Sequence, residues 1–271
     1  MPKPIHYRAK KPPTITLIIP THKRPHLLAR NLRSIAEQAP REELQCIVVA
    51  DEADADTAAV CTALLTPNDM FIRRSPCTPG ESRNSGMLHA EGRYIMFLDD
   101  DDLWHPNCLA AMLQQPVIQA GRLAYFNCSR VVERRVNGIP EPIQEDALHL
   151  ENQINEMIYV RNQIHMSCIA FPREMIRNFT FDPRLRTFED WDFILSVFEQ
   201  EMPRHVPVMV SRVCEVYGDD TDRLSSGNPD LGTVIDYLYI YRRHVIDNNE
   251  IRELRSTMLK THDLVVDPQF L

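Results

Sequence analysis

Glycine is scarce in this chain, with 8 in 271 residues, and neither G-x-G-x-x-G nor G-x-x-x-x-G-K-[ST] occurs. A glycine-rich backbone nest is therefore excluded as a cradle for nucleotide phosphates, which leaves a divalent cation as the alternative. The seven cysteines are scattered and form no CxxC pair, which removes support for a zinc site or a dithiol redox motif. Their odd number and spacing predict buried thiols in a reducing compartment, so the sequons at Asn127 and Asn178 read as chance matches. No run approaches the roughly 20 apolar residues that span a bilayer, and the Met-Pro-Lys-Pro start has no apolar signal core. The expectation is a cytoplasmic chain, with peripheral contact at the inner face of a membrane left open. A basic excess is also missing: the net charge of −8 argues against a general nucleic-acid partner. The basic stretches Lys3 to Lys11 and Arg242-Arg243 then read as solvated faces.

What is present is enough apolar material, 44%, to fill a proper core. Ile15 to Ile19 reads as a buried strand stopped by Pro20. Leu28, Leu32, Ile35 and Ala36 recur at helical spacing, with Pro25 suited to a first turn. Cys46 to Ala50 reads as a second strand, Asp56 to Leu65 as a helix with an Asp cap, and Phe71 to Arg73 as a short strand. Glu81 to Ala90 reads as a helix with Gly92 beyond it, and Tyr94 to Leu98 as a strand running into Asp99-Asp100-Asp101-Asp102. Such alternation implies a largely parallel sheet covered on both faces, with ligands beyond the carboxyl ends of its strands. Asp51 and the four aspartates lie at such ends.

The second half changes character. Leu123 to Asn127 and Arg130 to Val136 are predicted strands, with Asn137-Gly138 as a hairpin turn and Cys168 to Phe171 as another strand. Helices are predicted over Glu189 to Glu201 and Leu231 to Ile246, each with an apolar stripe. The predicted organisation is one α/β domain over 1–225, with a nucleotide-binding half over 14–105 and an acceptor half over 106–225. A helical extension follows over 226–271.

Four consecutive aspartates after a buried strand are costly, because each raises its neighbours' pKa, and a divalent cation would relieve the repulsion. Mg²⁺ and Mn²⁺ accept such oxygen ligands. The plainer reading is a solvated acidic loop with Asp102 capping a helix near Pro106. A second acidic cluster, Phe188-Glu189-Asp190-Trp191-Asp192, places Asp190 near a helix amino terminus, where the dipole favours its ionised form. That carboxylate is either a general base or an ordinary cap.

These pieces, in this order, resemble the inverting glycosyltransferases of family 2, which have the GT-A fold, a Rossmann-like α/β sheet flanked by helices. The resemblance runs from about Ile15 to Glu201. Ile18-Ile19-Pro20-Thr21-His22-Lys23-Arg24-Pro25 is similar to the family's opening strand and loop, and Val48-Val49-Ala50-Asp51 to its second strand. Ser82-Arg83-Asn84-Ser85-Gly86 resembles its Arg-Asn-x-Gly helix. Phe97 to Asp102 resembles its D-x-D element, and Glu189-Asp190 its catalytic acidic pair. The resemblance implies that Pro20, Thr21, Arg24, Asp51 and Arg83 embrace the nucleotide, with Asp99 or Asp100 on the ribose. It further implies Asp101 on an Mn²⁺ or Mg²⁺ that bridges the diphosphate, and Asp190 as the base. Glu189, Trp191 and His165 would support the acceptor, although core packing of Trp104 and Trp191 and a structural His165 are the plainer readings.

The implied activity is transfer of a sugar from a nucleotide-sugar donor, UDP first, to a hydroxyl of a saccharide or glycolipid acceptor with inversion. Synthesis of cell-surface polysaccharide or glycolipid is the implied setting, and a homo-oligomer stays open. Two departures stand out. Glu52-Ala53 occupy the place of the family's Gly-Ser, and Tyr217 to Asp222 lacks the late histidine many relatives carry. The rivals are a nucleotidyltransferase, disfavoured because Pro20 to Pro25 has no glycine, and a non-catalytic nucleotide-sugar-binding partner.

Overall fold

The computed structural model describes residues 11–52, 54–136, 139–185, 187–217 and 231–271. β1 (Ile15–Thr21) leads into α1 (Pro25–Ala36), then β2 (Leu44–Asp51), α2 (Ala55–Leu64), β3 (Met70–Arg74), α3 (Pro79–Met87) and β4 (Tyr94–Phe97). A two-residue strand β5 (Leu103–Trp104) and the short helices α4 (Cys108–Leu113) and α5 (Pro116–Gln119) follow the acidic run. The long strands β6 (Ala124–Val136) and β7 (Ile139–Leu148) form an antiparallel pair. The chain closes with β8 (Ile169–Pro172), α6 (Arg173–Ile176), α7 (Glu189–Phe198), β9 (Arg204–Val216), α8 (Leu231–Arg243) and α9 (Asn249–Lys260).

The strands make one mixed, mostly parallel sheet in the order β3-β2-β1-β4-β8-β6-β9-β5, with β7 added on β6. β3, β2, β1 and β4 are all parallel, and β8 joins β4 antiparallel. From β1 the chain steps outward through β2 to β3, then returns to place β4 on the other side of β1. The crevice beyond the carboxyl ends of β1 and β4 is therefore a switch point, where doubly wound sheets bind ligands.

Alternation along β1 divides the core. Ile15, Leu17 and Ile19 pack with α1 and α4, whereas Ile18 faces Phe97, Phe193 and Ala90 on the opposite side. The second layer contains the stacked rings of Phe181 and Phe193, with centroids 4.2 Å apart. It continues through Trp191, Tyr237 and Tyr241, so α8 belongs to the same core as α7. Arg255 of α9 is fully buried and donates to the carbonyls of Tyr159, Tyr241, His244 and Leu271. These bonds satisfy a guanidinium that burial alone would destabilise.

Several elements differ from their sequence expectation. β1 continues through Pro20 to Thr21, with Pro20 opposite Val49 of β2 in the same register. α3 starts at Pro79, where Thr78 and Glu81 form a reciprocal capping box, and ends at Met87 rather than Ala90. The two strands expected over 123–136 are one, β6, whose pairing with β9 is irregular around Asn127. β9 and α9 were not anticipated, α7 stops at Phe198, and the Asn137-Gly138 turn lies outside the described residues.

Asp182, 5% exposed, latches the segment before α7 to α8: its carboxylate accepts from Arg184, Tyr239 and Arg243. Hydrogen bonds from Arg184 and Tyr239 outweigh burial and hold its pKa below the ordinary carboxylate range. A depressed carboxylate contributes stability that is present above its unfolded pKa and lost as pH falls through the folded one. Asp182→Asn is expected to cost about 1–3 kcal/mol at pH 7 in urea unfolding. The gap to wild type should begin to narrow below about pH 4 and close only as pH falls through the folded pKa. An unchanged gap at low pH would contradict this account.

Candidate active site

The acidic run follows β4 and is held by the first helix. Asn31 of α1 is buried and donates from Nδ2 to the carbonyls of Asp99 (3.0 Å) and Asp102 (2.8 Å), closing the loop between them. Arg30, one residue earlier, reaches the Asp101 carbonyl at 2.8 Å and Glu133 of β6 at 2.6 Å. Neither residue was anticipated as part of the site. Their positions on the buried and half-buried face of α1 become meaningful only once β4 is seen beside β1.

Each aspartate meets a different environment. Asp99 Oδ1 accepts from Arg83 Nη2 at 2.8 Å. Burial works against its ionisation, but Arg83, His165 and Arg24 prevail and lower its pKa. Asp100 is fully buried, accepts from the Thr21 hydroxyl at 2.6 Å and is ion-paired with Arg24. Burial dominates there and pushes its pKa up to about 7. Asp101 is half-buried, with Oδ2 3.2 Å from Arg24 Nη1. Asp102 is buried and accepts from the Cys214 backbone N–H of β9 at 2.9 Å, so it ties the loop to the sheet rather than capping a helix. The helix beyond, α4, begins after Asn107 without a side-chain cap.

Among the described residues, one group of possible metal ligands converges: Asp99, Asp102 and His165 each bring an atom within 4.8 Å of the others. His165 Nε2 lies 4.0 Å from Asp99 Oδ2, and its Nδ1 lies 3.7 Å from Asp102 Oδ2 and 2.7 Å from Ser167 Oγ. Asp99 and Asp102 each commit one oxygen to the protein and turn the other towards the histidine. Two carboxylates with one imidazole suit Mn²⁺, and Mg²⁺ less well because it favours an all-oxygen shell. Asp101, the expected ligand, is not in this group and faces Arg24.

Across the crevice, α7 begins at Glu189. Glu189 Oε1 accepts from Arg83 Nη1 at 2.6 Å, and its pKa is raised by burial and by the adjacent Asp190 against the pull of Arg83. Asp190 sits in the first turn, with Oδ1 held by the Trp191 N–H at 2.7 Å and Oδ2 3.3 Å from Asn162 Nδ2. Arg83 itself is 5% exposed. Burial opposes its charge, but Asp99, Glu189 and Asp190 outweigh that and raise its pKa.

The base-side residues fall at the ends of β1 and β2. Asp51 Oδ1 lies 2.8 Å from His22 Nδ1, and Lys23 pairs with Glu52 at 2.6 Å. Glu52 has φ 48°, the left-handed region that favours glycine. Trp191 is fully buried and donates to the Ile158 carbonyl at 2.7 Å, and Trp104 is buried on β5. Both serve the core and neither presents a face to a sugar.

Carboxylates gathered at a β1/β4 switch point of such a sheet are the arrangement of a GT-A-type fold. The family model described as "Glycosyl transferase family 2" matches residues 16–179, so the chain belongs to that glycosyltransferase family. It is 25% identical over 247 residues to the putative colanic acid biosynthesis glycosyl transferase WcaA of Escherichia coli, covering 87% of this chain and 82% of that one. It is 31% identical over 107 residues to a GalNAc(5)-diNAcBac-PP-undecaprenol beta-1,3-glucosyltransferase of Campylobacter jejuni, covering 38% of this chain and 34% of that protein. In structure it is similar to S. aureus TarS 1-349 in complex with UDP-GlcNAc, with a TM-score of 0.63 at 17% identity over 92% of this chain and 72% of that one. The mannosyltransferase PcManGT of Pyrobaculum calidifontis, in complex with GDP-Man and Mn²⁺, gives 0.52 at 16% identity over 95% and 77%.

Thr21 is expected to matter through its bond to the buried Asp100. Thr21→Val keeps shape but removes the donor, which should cost about 1–3 kcal/mol in urea unfolding. Unchanged stability would place Asp100 in wetter surroundings than those described.

Proposed function

We propose that this chain is an inverting glycosyltransferase that moves a sugar from a nucleoside-diphosphate donor to a hydroxyl acceptor in polysaccharide or glycolipid synthesis. The observation that carries the reading is the placement of Asp190, at a helix amino terminus, across one buried arginine from the carboxylates at the β1/β4 switch point. The similarity to WcaA and to the undecaprenol-linked glucosyltransferase supports the setting.

Pro20 to Arg24 and Asp51 border the nucleotide base, and Asp99 contacts the ribose or diphosphate. Asp100 is occupied by Thr21 and Arg24, so its part is to shape the loop. A divalent cation, held by Asp99, Asp102 and His165, would act as Lewis acid on the leaving diphosphate. Asp190 accepts the acceptor hydroxyl's proton as that oxygen attacks the anomeric carbon from the face opposite the leaving group. The new C–O bond forms as the bond to the diphosphate breaks, and the electron pair leaves with the nucleotide, giving inversion without an enzyme-bound sugar. Since the similar solved structures hold UDP-GlcNAc or GDP-Man, UDP and GDP sugars are the donors to try first. No helix among the described residues is long and apolar enough to cross a membrane.

Asp190→Asn tests the reading. It should lower nucleotide release from donor and acceptor by about 10²–10⁴-fold. Calorimetric binding of the same nucleotide with Mn²⁺ should be retained. Wild-type turnover in the variant would remove Asp190 as the base, and a wild type that binds nucleotide without turnover would favour the non-catalytic binding partner.

A further inference from the structure

Arg83 lies on α3, which is fixed to both walls of the crevice. On one side Gly86 packs so closely on β1 that an added Cβ would stand 2.5 Å from an Ile18 side-chain carbon. On the other, Gly80 leaves room for Phe181 and Glu189, whose carbons would lie 3.0 and 3.2 Å from a Cβ there. Asn84 exchanges two hydrogen bonds with the Phe181 backbone, donating at 2.9 Å and accepting at 2.8 Å. The Arg83 guanidinium stands 5.5 Å from the Phe181 ring centroid and spends its two terminal nitrogens on opposite walls, Asp99 and Glu189. This arginine is 5% exposed, each terminal nitrogen is given to a carboxylate, and its Nε is buried without a hydrogen-bond partner, so little of it is open to a nucleotide.

We propose that Arg83 is a positioning residue that sets the distance between the donor carboxylate Asp99 and the start of α7, and with it the reach of Asp190 towards the anomeric carbon. The proposal rests on the glycosyltransferase reading above and assigns Arg83 a task other than holding the nucleotide base. A planar fork can span two carboxylates at a fixed separation, which a lysine ammonium cannot do. A misplacement of about 1 Å at a reacting pair can cost roughly 10²-fold in rate.

The test compares wild type, Arg83→Met, Arg83→Lys, Glu189→Gln and the double variant Arg83→Met/Glu189→Gln. Binding of UDP or GDP with Mn²⁺ is measured by calorimetry, and kcat and KM with the donor sugar that wild type uses. Arg83→Met is expected to lose about 100-fold in kcat. Nucleotide binding should stay within about threefold of wild type, and Arg83→Lys should recover only part of the lost rate. The double variant should be no slower than Arg83→Met alone, because both changes break one contact. Weakened nucleotide binding with kcat preserved would make Arg83 a donor contact and overturn the proposal. So would rate losses that multiply in the double variant. If Arg83→Met does not fold, Glu189→Gln decides: a lower kcat with intact binding supports the proposal, and a wild-type kcat overturns it. Absence of nucleotide binding and turnover in wild type would instead refute the donor-site reading, and this proposal with it.

Discussion

Four adjacent carboxylates at the end of a buried strand repel one another, and much of the surrounding structure answers that repulsion. Asp99 is paired with Arg83 from α3, Asp100 and Asp101 share Arg24 from the start of α1, and Asp102 accepts a backbone N–H of β9. The loop carbonyls are satisfied by Arg30 and Asn31. Breaking a buried pair on one side leaves an uncompensated charge, which is why the two arginines are tied so firmly to their elements. The acidic loop is thus held by three distant stretches of chain.

That arrangement also explains the mixed sheet. The parallel half delivers Thr21, Asp51 and Asp99 to one edge, while β8, β6 and β9 extend the sheet beyond β4 and bring Cys214 against Asp102. The segment before β8 carries His165 to the same edge, and α7 carries Glu189 and Asp190. Carboxylates from both halves of the sequence therefore meet at Arg83. Membership of glycosyltransferase family 2 gives this crevice its general chemistry, and the residues that line it give the particular proposals.

Much of the first half was legible, because short apolar runs bounded by Pro, Asp and charged residues leave little room for misreading. β1, β2, β3 and β4 all fell within one or two residues of expectation. The capping box Thr78-x-x-Glu81 was a readable start signal for α3 that the weakly apolar stretch 79–82 obscured. β9 was missed because Arg204 to Val216 mixes exposed and half-buried positions without clear alternation. That Asp51 and Asp99 would lie at strand ends and Asp190 in a first helical turn could be read from position alone. The pairing of Arg83 with Glu189, 106 residues away, could not, nor could the approach of His165 to Asp99 and Asp102. Those contacts depend on which strands become neighbours, and periodicity carries no such information. The tryptophans illustrate the converse: proximity in sequence to the acidic clusters placed neither of them in the crevice.

The central claim is that the two carboxylates and the imidazole at the β1/β4 switch point form the donor centre. Anomalous X-ray diffraction at the manganese edge, from crystals grown with Mn²⁺ and a nucleoside diphosphate, tests it most directly. The account predicts one peak within bonding distance of Asp99, Asp102 or His165, next to the diphosphate oxygens. A peak elsewhere on the chain, or a diphosphate seated in the crevice without the ion, would contradict it.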